Sequence, residues 1–355
     1  MSASLTPVSL EYPPNTSAFR EEWSALAEAS GSVFATPEWT EVWWRHFGAG
    51  QRLRVGVARA AGGRAVAVVP LVRGRTGPLR VVRFAGHGPA DQLGPVCDPN
   101  DMDLGAEALR QAMAAMPGGW DVFVGDYLPG DQGWDARLGG TVLRRFESPV
   151  LRFEGRTWDE YLRERSRNFR EQATRRERKL AREHDLRFRL TTSAAELTRD
   201  LDALFALHGS RWSAGSNFSR VEAFHREFAA VALARGWLRL WRLDLDGRTM
   251  AAWLGFRFGG AESYYQAGRD PSAEGSVGFV LLVHTIRSAR EDGVQEYRFL
   301  RGDEEYKGRF ATADPGVETV AVGGGLAGKA AVAAGARLTG NAKLRTLFRR
   351  ASASG

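Results

Sequence analysis

Between Trp237 and Pro271 three strand-forming runs follow one another with almost no spacer: WLRLWRLDLDG, RTMAAWLGFRFGG and AESYYQAGRDP. Apolar, branched and aromatic side chains dominate each run, and the pairs Asp246-Gly247 and Gly259-Gly260 separate them. Asp-Gly and Gly-Gly pairs adopt the left-handed backbone that the shortest hairpin turns require. The segment is therefore predicted to fold as an antiparallel meander. A meander of three strands needs cover from other elements before it is stable, so what flanks it decides the fold.

The flanks are regular. A strand, LRFRLTT, a helix from Ala194 through Trp212 and a second helix, RVEAFHREFAAVALARG, precede the meander. After it the connection SAEGSVG opens an amphipathic helix, FVLLVHTIRSAREDG, and a strand, QEYRFL, leads into RGDEEYKGRF. The strand VETVAVGG and a basic, alanine-rich helix finish the chain. The first 150 residues give a looser version of the same series. A helix, SAFREEWSALAEAS, precedes FATPEWTEVWWRHFG, where Thr36 is placed to cap and Pro37 to open a second helix. Strands are predicted at LRVGVARA, RAVAVVPLVR, LRVVRFAG and WDVFVGDY, with a helix at LGAEALRQAMAAM. Further strand-like residues lie in VLRRFESPVLRF.

Between the halves lies TWDEYLRERSRNFREQATRRERKLAREHD, with neither Pro nor Gly and with few apolar residues apart from Trp158, Tyr161, Leu162, Phe169 and Leu180. It reads as one long helix that is largely solvated, interdomain, or turned toward an anion. The predicted organisation is an α/β (α+β) fold of two tandem lobes, each a mixed, mainly antiparallel sheet flanked by helices. The first lobe covers 1–150, the second covers 151–325 and begins with the charged helix, and 326–355 form the basic C-terminal helix.

Composition bounds the function. With 355 residues, 43% of them hydrophobic, the chain has material for two cores. Its one cysteine, Cys97, excludes an internal disulfide and a cysteine-based zinc site. The absence of an apolar run of eighteen residues, and of a signal-type N-terminus, predicts a cytoplasmic protein with no transmembrane segment. Six histidines show no metal-ligand spacing, so no metal is expected. The formal charge of +7 favours an anionic partner.

The residues that carry chemistry point to a family. FATPEWTEVWWRHF, the charged helix, SYYQAGRDPSAEGSVGFVLL and YRFLRGDEEYKGRF together resemble the CelD-like acetyltransferase branch of the GNAT superfamily, which is similar in architecture to the Fem peptidoglycan aminoacyltransferases. The resemblance runs from about Phe34 to Val322. It implies an N-acyltransferase that moves an acyl group, acetyl in the simplest case, from acyl-CoA as co-substrate to a small-molecule or peptide amine in a cleft between the lobes. It places the donor pyrophosphate on Gly275, Ser276, Val277, Gly278 and Phe279, where a loop turns into a helix whose first N–H groups are unpaired, with Arg269 upstream. The usual basic-x-x-Gly-x-Gly pattern is incomplete here.

The same resemblance assigns Tyr306 and Lys307 to stabilising charge on the attacked carbonyl, with Asp303 or Glu304 as proton acceptor and Arg301 at the strand's end. Residue chemistry supplies a competing role for Lys307, as half of an ion-pair knot around Gly302. Tyr264, Tyr265 and Gln266 on the preceding strand, His208, Arg211 and Trp212 at a helix end, and His87 and Asp91 in the first lobe are candidates for the acceptor side. Two alternatives stand beside this reading. One is a Fem-like enzyme taking its acyl group from aminoacyl-tRNA, with the arginines from Arg163 to Arg182 and the C-terminal Lys329, Arg337, Lys343, Arg345, Arg349 and Arg350 tracking phosphates. The other is a catalytically silent binding module on the same scaffold.

Overall fold

The computed structural model describes residues 8–11, 16–211, 217–273 and 276–340. In chain order the elements are β1 (Ser9–Glu11), α1 (Ser17–Ser30), α2 (Pro37–Phe47), β2 (Arg52–Arg59), β3 (Ala65–Thr76), β4 (Leu79–Phe84), β5 (Val96–Cys97), α3 (Met102–Ala114), β6 (Val122–Pro129), α4 (Trp134–Leu138) and β7 (Thr141–Phe146). They continue with β8 (Val150–Arg152), α5 (Trp158–Glu164), α6 (Arg167–Glu183), β9 (Leu186–Leu190), α7 (Ala194–Arg211), α8 (Asn217–Arg220), α9 (Glu222–Ala234), β10 (Leu238–Leu245), β11 (Arg248–Phe258) and β12 (Ala261–Arg269). The last are α10 (Val277–Glu291), β13 (Glu296–Arg298), α11 (Glu305–Gly308), β14 (Val317–Gly323) and α12 (Gly325–Gly340). Two compact units result, one from residues up to Glu147 together with those from Pro315, the other from Ser148–Asp314.

In the second unit the strands lie in the order β8-β13-β12-β11-β10-β9. The meander forms as predicted. Leu245 pairs with Arg248 and Phe258 with Ala261, so each hairpin has a two-residue loop. Positive φ at Asp246, Gly247, Gly259 and Gly260 gives the right-handed twist that such short loops match. β13 returns parallel to β12 after α10, and β8 closes the edge antiparallel to β13. The core under α10 contains Trp253, Tyr161, Tyr297, Phe153 and Phe299, all almost fully buried.

The first unit repeats the order. A strand (β1), two helices (α1, α2), an antiparallel meander (β2-β3-β4), a helix (α3) and a strand parallel to the meander's last (β6 beside β4) match β9, α7 and α9, β10-β11-β12, α10 and β13. Its sheet runs β1-β2-β3-β4-β6-β14-β7, with β5 on β3. In α2, Thr36 caps the N-terminus by accepting from the Trp39 N–H, with Pro37 in the first turn.

Two expectations are corrected. The final strand, expected in the second lobe within 151–325, is β14, which lies between β6 and β7 in the first sheet. Conversely, β8 from the end of the first half completes the second sheet. Element order along the chain could not reveal this exchange, because strand partners are set by long-range pairing. The basic C-terminal helix is also not a separate body: α12 packs on the first sheet through Val332 beside Val122 and Ala321. Lys343, Arg345, Arg349 and Arg350 lie outside the described residues.

The charged segment is two helices. Thr157 and Glu160 form a reciprocal capping box at the start of α5. The chain then leaves helical geometry at Arg165, and Ser166 caps α6 by accepting from the Phe169 N–H. A capping serine with no Pro or Gly beside it is easily mistaken for helix interior. Only Phe169, Ala173 and Leu180 of α6 are buried, a single stripe against the core, while Arg167, Arg175, Arg178 and Arg182 are exposed, as expected.

Candidate active site

The parallel strands β12 and β13 are joined by α10, and the site forms where α10 begins. Ser276 precedes the helix but its hydroxyl makes no capping hydrogen bond, and the first main-chain helical bond runs from Val280 N–H to Ser276 O. The N–H groups of the first turn are thus left to other partners, at the positive end of a fifteen-residue helix. Glycine at position 278 keeps this turn open, since a Cβ there would meet only the Arg269 Cδ at 3.4 Å.

A cavity of ≈ 200 Å³ adjoins this turn, lined by Ala251, Ala252, Trp253, Tyr264, Ala267, Gly268, Arg269, Gly278, Phe279, Leu281, Leu282 and Tyr306. Its walls are apolar and aromatic, Arg269 is its charged side chain, and no carboxylate is among the lining residues. The ring centroids of Tyr264 and Tyr306 stand 6.4 Å apart in a T-shaped pair, and Trp253 lies 5.9 Å from Tyr264.

A bulge decides which neighbours of Tyr264 share its face. Leu254 pairs with Gln266 and Gly255 with Tyr264, which leaves Tyr265 as the extra residue of β12. Tyr265 is buried in a different aromatic cluster, 6.3 Å from Phe218, 5.5 Å from His225 and 5.7 Å from Phe256. Gln266, opposite Leu254, alternates away from Ala267, which lines the cavity opposite Trp253. Of Tyr264, Tyr265 and Gln266, only Tyr264 reaches the cavity.

The stretch after β13 turns sharply. Leu300 has φ 56° and Gly302 φ 144°, and the turn delivers α11 with Tyr306 facing the cavity. Lys307 does not face it. The ammonium is 2.8 Å from Glu304 Oε2 and donates to the Arg301 carbonyl at 3.1 Å, in a residue only 3% exposed. A side chain at 302 would collide with this pair, its Cβ falling 2.1 Å from Glu304 Oε2 and 2.6 Å from the Lys307 Nζ. The lysine therefore fastens the turn. Asp303 is exposed.

Of the remaining candidates, Val277 is packed into the core. His208 is buried, its Nδ1 3.0 Å from the Ala267 carbonyl. Arg211 ends α7, while Trp212 and Gly275 lie outside the described residues. In the first unit, the His87 Nδ1 is 3.0 Å from the Phe84 carbonyl and its ring 4.9 Å from Trp43, whose indole N–H donates to the His87 carbonyl. Burial pushes the His87 imidazole pKa down. Asp91 is buried in the same unit. The lining residues that sequence reasoning missed are Trp253, Leu281, Leu282, Ala267, Gly268 and the pair Ala251-Ala252. Two consecutive alanines in a strand otherwise rich in large residues are the signal that was available.

Among the described residues no group of three or more His, Cys, Asp or Glu side chains is arranged to hold a metal ion, and no helix is long and apolar enough to cross a membrane.

Comparison with known proteins places this geometry. The family model of the GNAT acetyltransferase domain matches residues 167–308, the span from α6 to α11. No curated protein matches the sequence. Among solved structures, FemX aligns with a TM-score of 0.64 at 12% identity, covering 85% of this chain and 95% of its own. The C-terminal domain of a putative lysylphosphatidylglycerol synthetase from Agrobacterium fabrum aligns with a TM-score of 0.57 at 12% identity, covering 88% and 94%. A tandem GNAT protein from the clavulanic acid biosynthesis pathway, solved without AcCoA, aligns at 0.51 and 12%, covering 91% and 99%. The repeated order of elements in the two units agrees with that tandem arrangement. Residues 167–308 thus match a GNAT acetyltransferase domain, and the fold along most of the chain is similar to those of FemX and the tandem GNAT protein.

Proposed function

We propose that the protein transfers an acyl group, acetyl in the simplest case, from acyl-CoA to an amine. The observation that carries this reading is the cavity beginning at the uncapped turn of α10 and walled by Tyr264 and Tyr306. Pyrophosphate would lie on the N–H groups of Val277, Gly278 and Phe279, and the thioester arm would run along Ala251, Ala267 and Leu281. The Tyr306 hydroxyl is one polar group of the cavity wall that would serve the developing oxyanion or the leaving thiolate. Lys307 then acts as a positioning residue that fixes α11 through Glu304 and the Arg301 carbonyl. With no carboxylate in the cavity, the attacking amine gives its proton to solvent or to the exposed Asp303.

Acetyl-CoA binding to the native state should raise the melting temperature, by the equivalent of about 2.7 kcal/mol at a hundredfold excess over Kd. A protein whose melting curve ignores acetyl-CoA at millimolar concentration would sink the donor assignment. A second reading, with aminoacyl-tRNA as donor, is favoured by the exposed Arg163, Arg175 and Arg178 and by the Fem-like fold. Loss of acyl transfer on RNase treatment, with no response to CoA, would establish it.

A further inference from the structure

We infer that Arg176 and Arg309 bind the phosphates of the donor and make the site selective for a phosphorylated thioester over a bare one. The inference rests on the acyl-CoA reading and adds side chains outside every residue group named for it so far.

The observation is a cationic cage on one aromatic ring. Phe279 is the third residue of α10, and helical side chains lean back toward the N-terminus, so its ring sits beside the uncapped turn. Its centroid is 6.1 Å from Phe169 in a T-shaped contact and 5.6 Å from Phe310, which fixes the ring. The guanidinium carbon of Arg176, from α6, lies 4.8 Å from the Phe279 centroid, and that of Arg309, just past α11, lies 5.5 Å from it. Arg309 is also 5.6 Å from the Phe169 centroid and donates to Gln172 Oε1 at 3.0 Å, so its direction is set from two sides.

Among the described residues neither guanidinium is ion-paired with a carboxylate. Two cations over one ring, at the positive end of a helix and beside a cavity whose charged side chain is also an arginine, repel one another. Anionic charge beside the ring offsets that repulsion, and a guanidinium fork matches phosphate oxygens two at a time. Phe279 and Gly278 both line the cavity, so phosphate held by the cage is continuous with a thioester arm inside it. Arg176 is half-buried, whereas Arg167, Arg175, Arg178 and Arg182 of α6 are exposed and are not part of the cage.

The test is calorimetric titration of CoA and of dephospho-CoA into the whole protein and its variants R176Q and R309Q, with melting curves on each. Each variant should melt like the wild type and lose about tenfold in CoA affinity, the value of one charge-assisted contact. A loss confined to CoA assigns the arginine to the 3′-phosphate, and an equal loss for dephospho-CoA assigns it to the pyrophosphate; either supports the inference. R309K, which keeps the charge without the fork, should recover part of the loss. Wild-type affinity in both R176Q and R309Q overturns the inference and leaves the donor reading standing. A wild-type protein that binds neither ligand overturns the donor reading, and the inference with it.

Discussion

The two units share an order of elements and differ at one corner, the start of the helix that follows the meander. In the second unit that helix begins beside a cavity of ≈ 200 Å³, with Gly278 open and Arg269 beside it. In the first unit the corresponding α3 begins beside a cavity of ≈ 50 Å³, and its Gly105 is closed off, with a Cβ there falling 2.7 Å from the Cys97 sulfur and 3.5 Å from Trp134. The charge differs as well. Asp98, Asp101 and Asp103 stand at the start of α3, where they would repel a phosphate from the helix end. Burial, with Asp101 and Asp98 adding to it, pushes the Cys97 thiol up to about 12, so the thiol is packing material. On the proposed reading, one scaffold would hold a donor site in one unit and a filled core in the other, with a few side chains at a helix start making the difference.

The contrast can be broken most directly at the short helix after each parallel strand. Tyr306→Phe removes a hydrogen-bond donor from the cavity and should lower the single-turnover rate about a hundredfold or more, with donor affinity unchanged. Trp134→Phe in α4 should leave the rate at wild type. If both variants turn over normally, Tyr306 is only a wall of the cavity.

Next in size are the helix-start glycines. Gly278→Val should weaken CoA binding by about tenfold to a hundredfold, because phosphate oxygens lose their approach to the backbone, and should leave the melting temperature near wild type. Gly105→Val should do the reverse, costing about 1–3 kcal/mol of stability through overpacking against Cys97 while CoA affinity stays the same. Calorimetry and melting curves on both would sharpen the comparison; equal affinity losses would erase it.

Lys307→Met tests the fastened turn. It leaves Glu304 and the Arg301 carbonyl without their shared partner, but Glu304 is about half exposed and can be rehydrated, so the cost should be about 1–2 kcal/mol. The melting temperature should drop, and the rate should fall less than for Tyr306→Phe. A stable variant with a rate loss as large as that of Tyr306→Phe would return Lys307 to the reacting atoms.

The smallest effect is one of pH. Burial lowers the His284 pKa to about 4 and the His225 pKa to about 3, both in the second unit, and among the described residues neither His284 nitrogen has a hydrogen-bond partner. An unfolded chain takes up protons near pH 6.5 that these rings refuse, so their stabilising contribution is complete above that pH and is lost as pH falls toward 4. In the first unit His87 shifts the same way, while hydrogen bonding to Arg80 lowers Asp121 to about 2, and that contribution persists until pH falls below about 4. Amide protection in β10, β11 and β12 should therefore fall before that in β2, β3 and β4 between pH 7 and pH 5. Simultaneous loss would contradict the assignment.

Much of this was legible in the sequence because it is local. The turns at Asp246-Gly247 and Gly259-Gly260, the cap at Thr36, and the helix opening at Ser276 each depend on two or three adjacent residues. Five of the named site residues, Tyr264, Arg269, Gly278, Phe279 and Tyr306, do line one cavity. What the sequence concealed depends on distant partners. The bulge that turns Tyr265 away is set by the pairing of β11 with β12. The sequence leaves Lys307 open between the attacked carbonyl and an ion-pair knot, and only the folded turn brings Glu304 onto it over Gly302. Strand β14 belongs to the first sheet only because β6 and β7 receive it. The Phe279 cage joins α10 and the end of α11 to α6, which lies about a hundred residues earlier in the chain.

The central claim is that the donor occupies the second unit at the start of α10 and not the matching corner of the first. Segment-resolved hydrogen exchange of the whole protein, with and without acetyl-CoA, measures it directly. New protection should appear in β11, β12, the first turns of α10 and α11, with β4, α3 and the connection between them unchanged. Protection at the start of α3, or none at α10, would contradict the account.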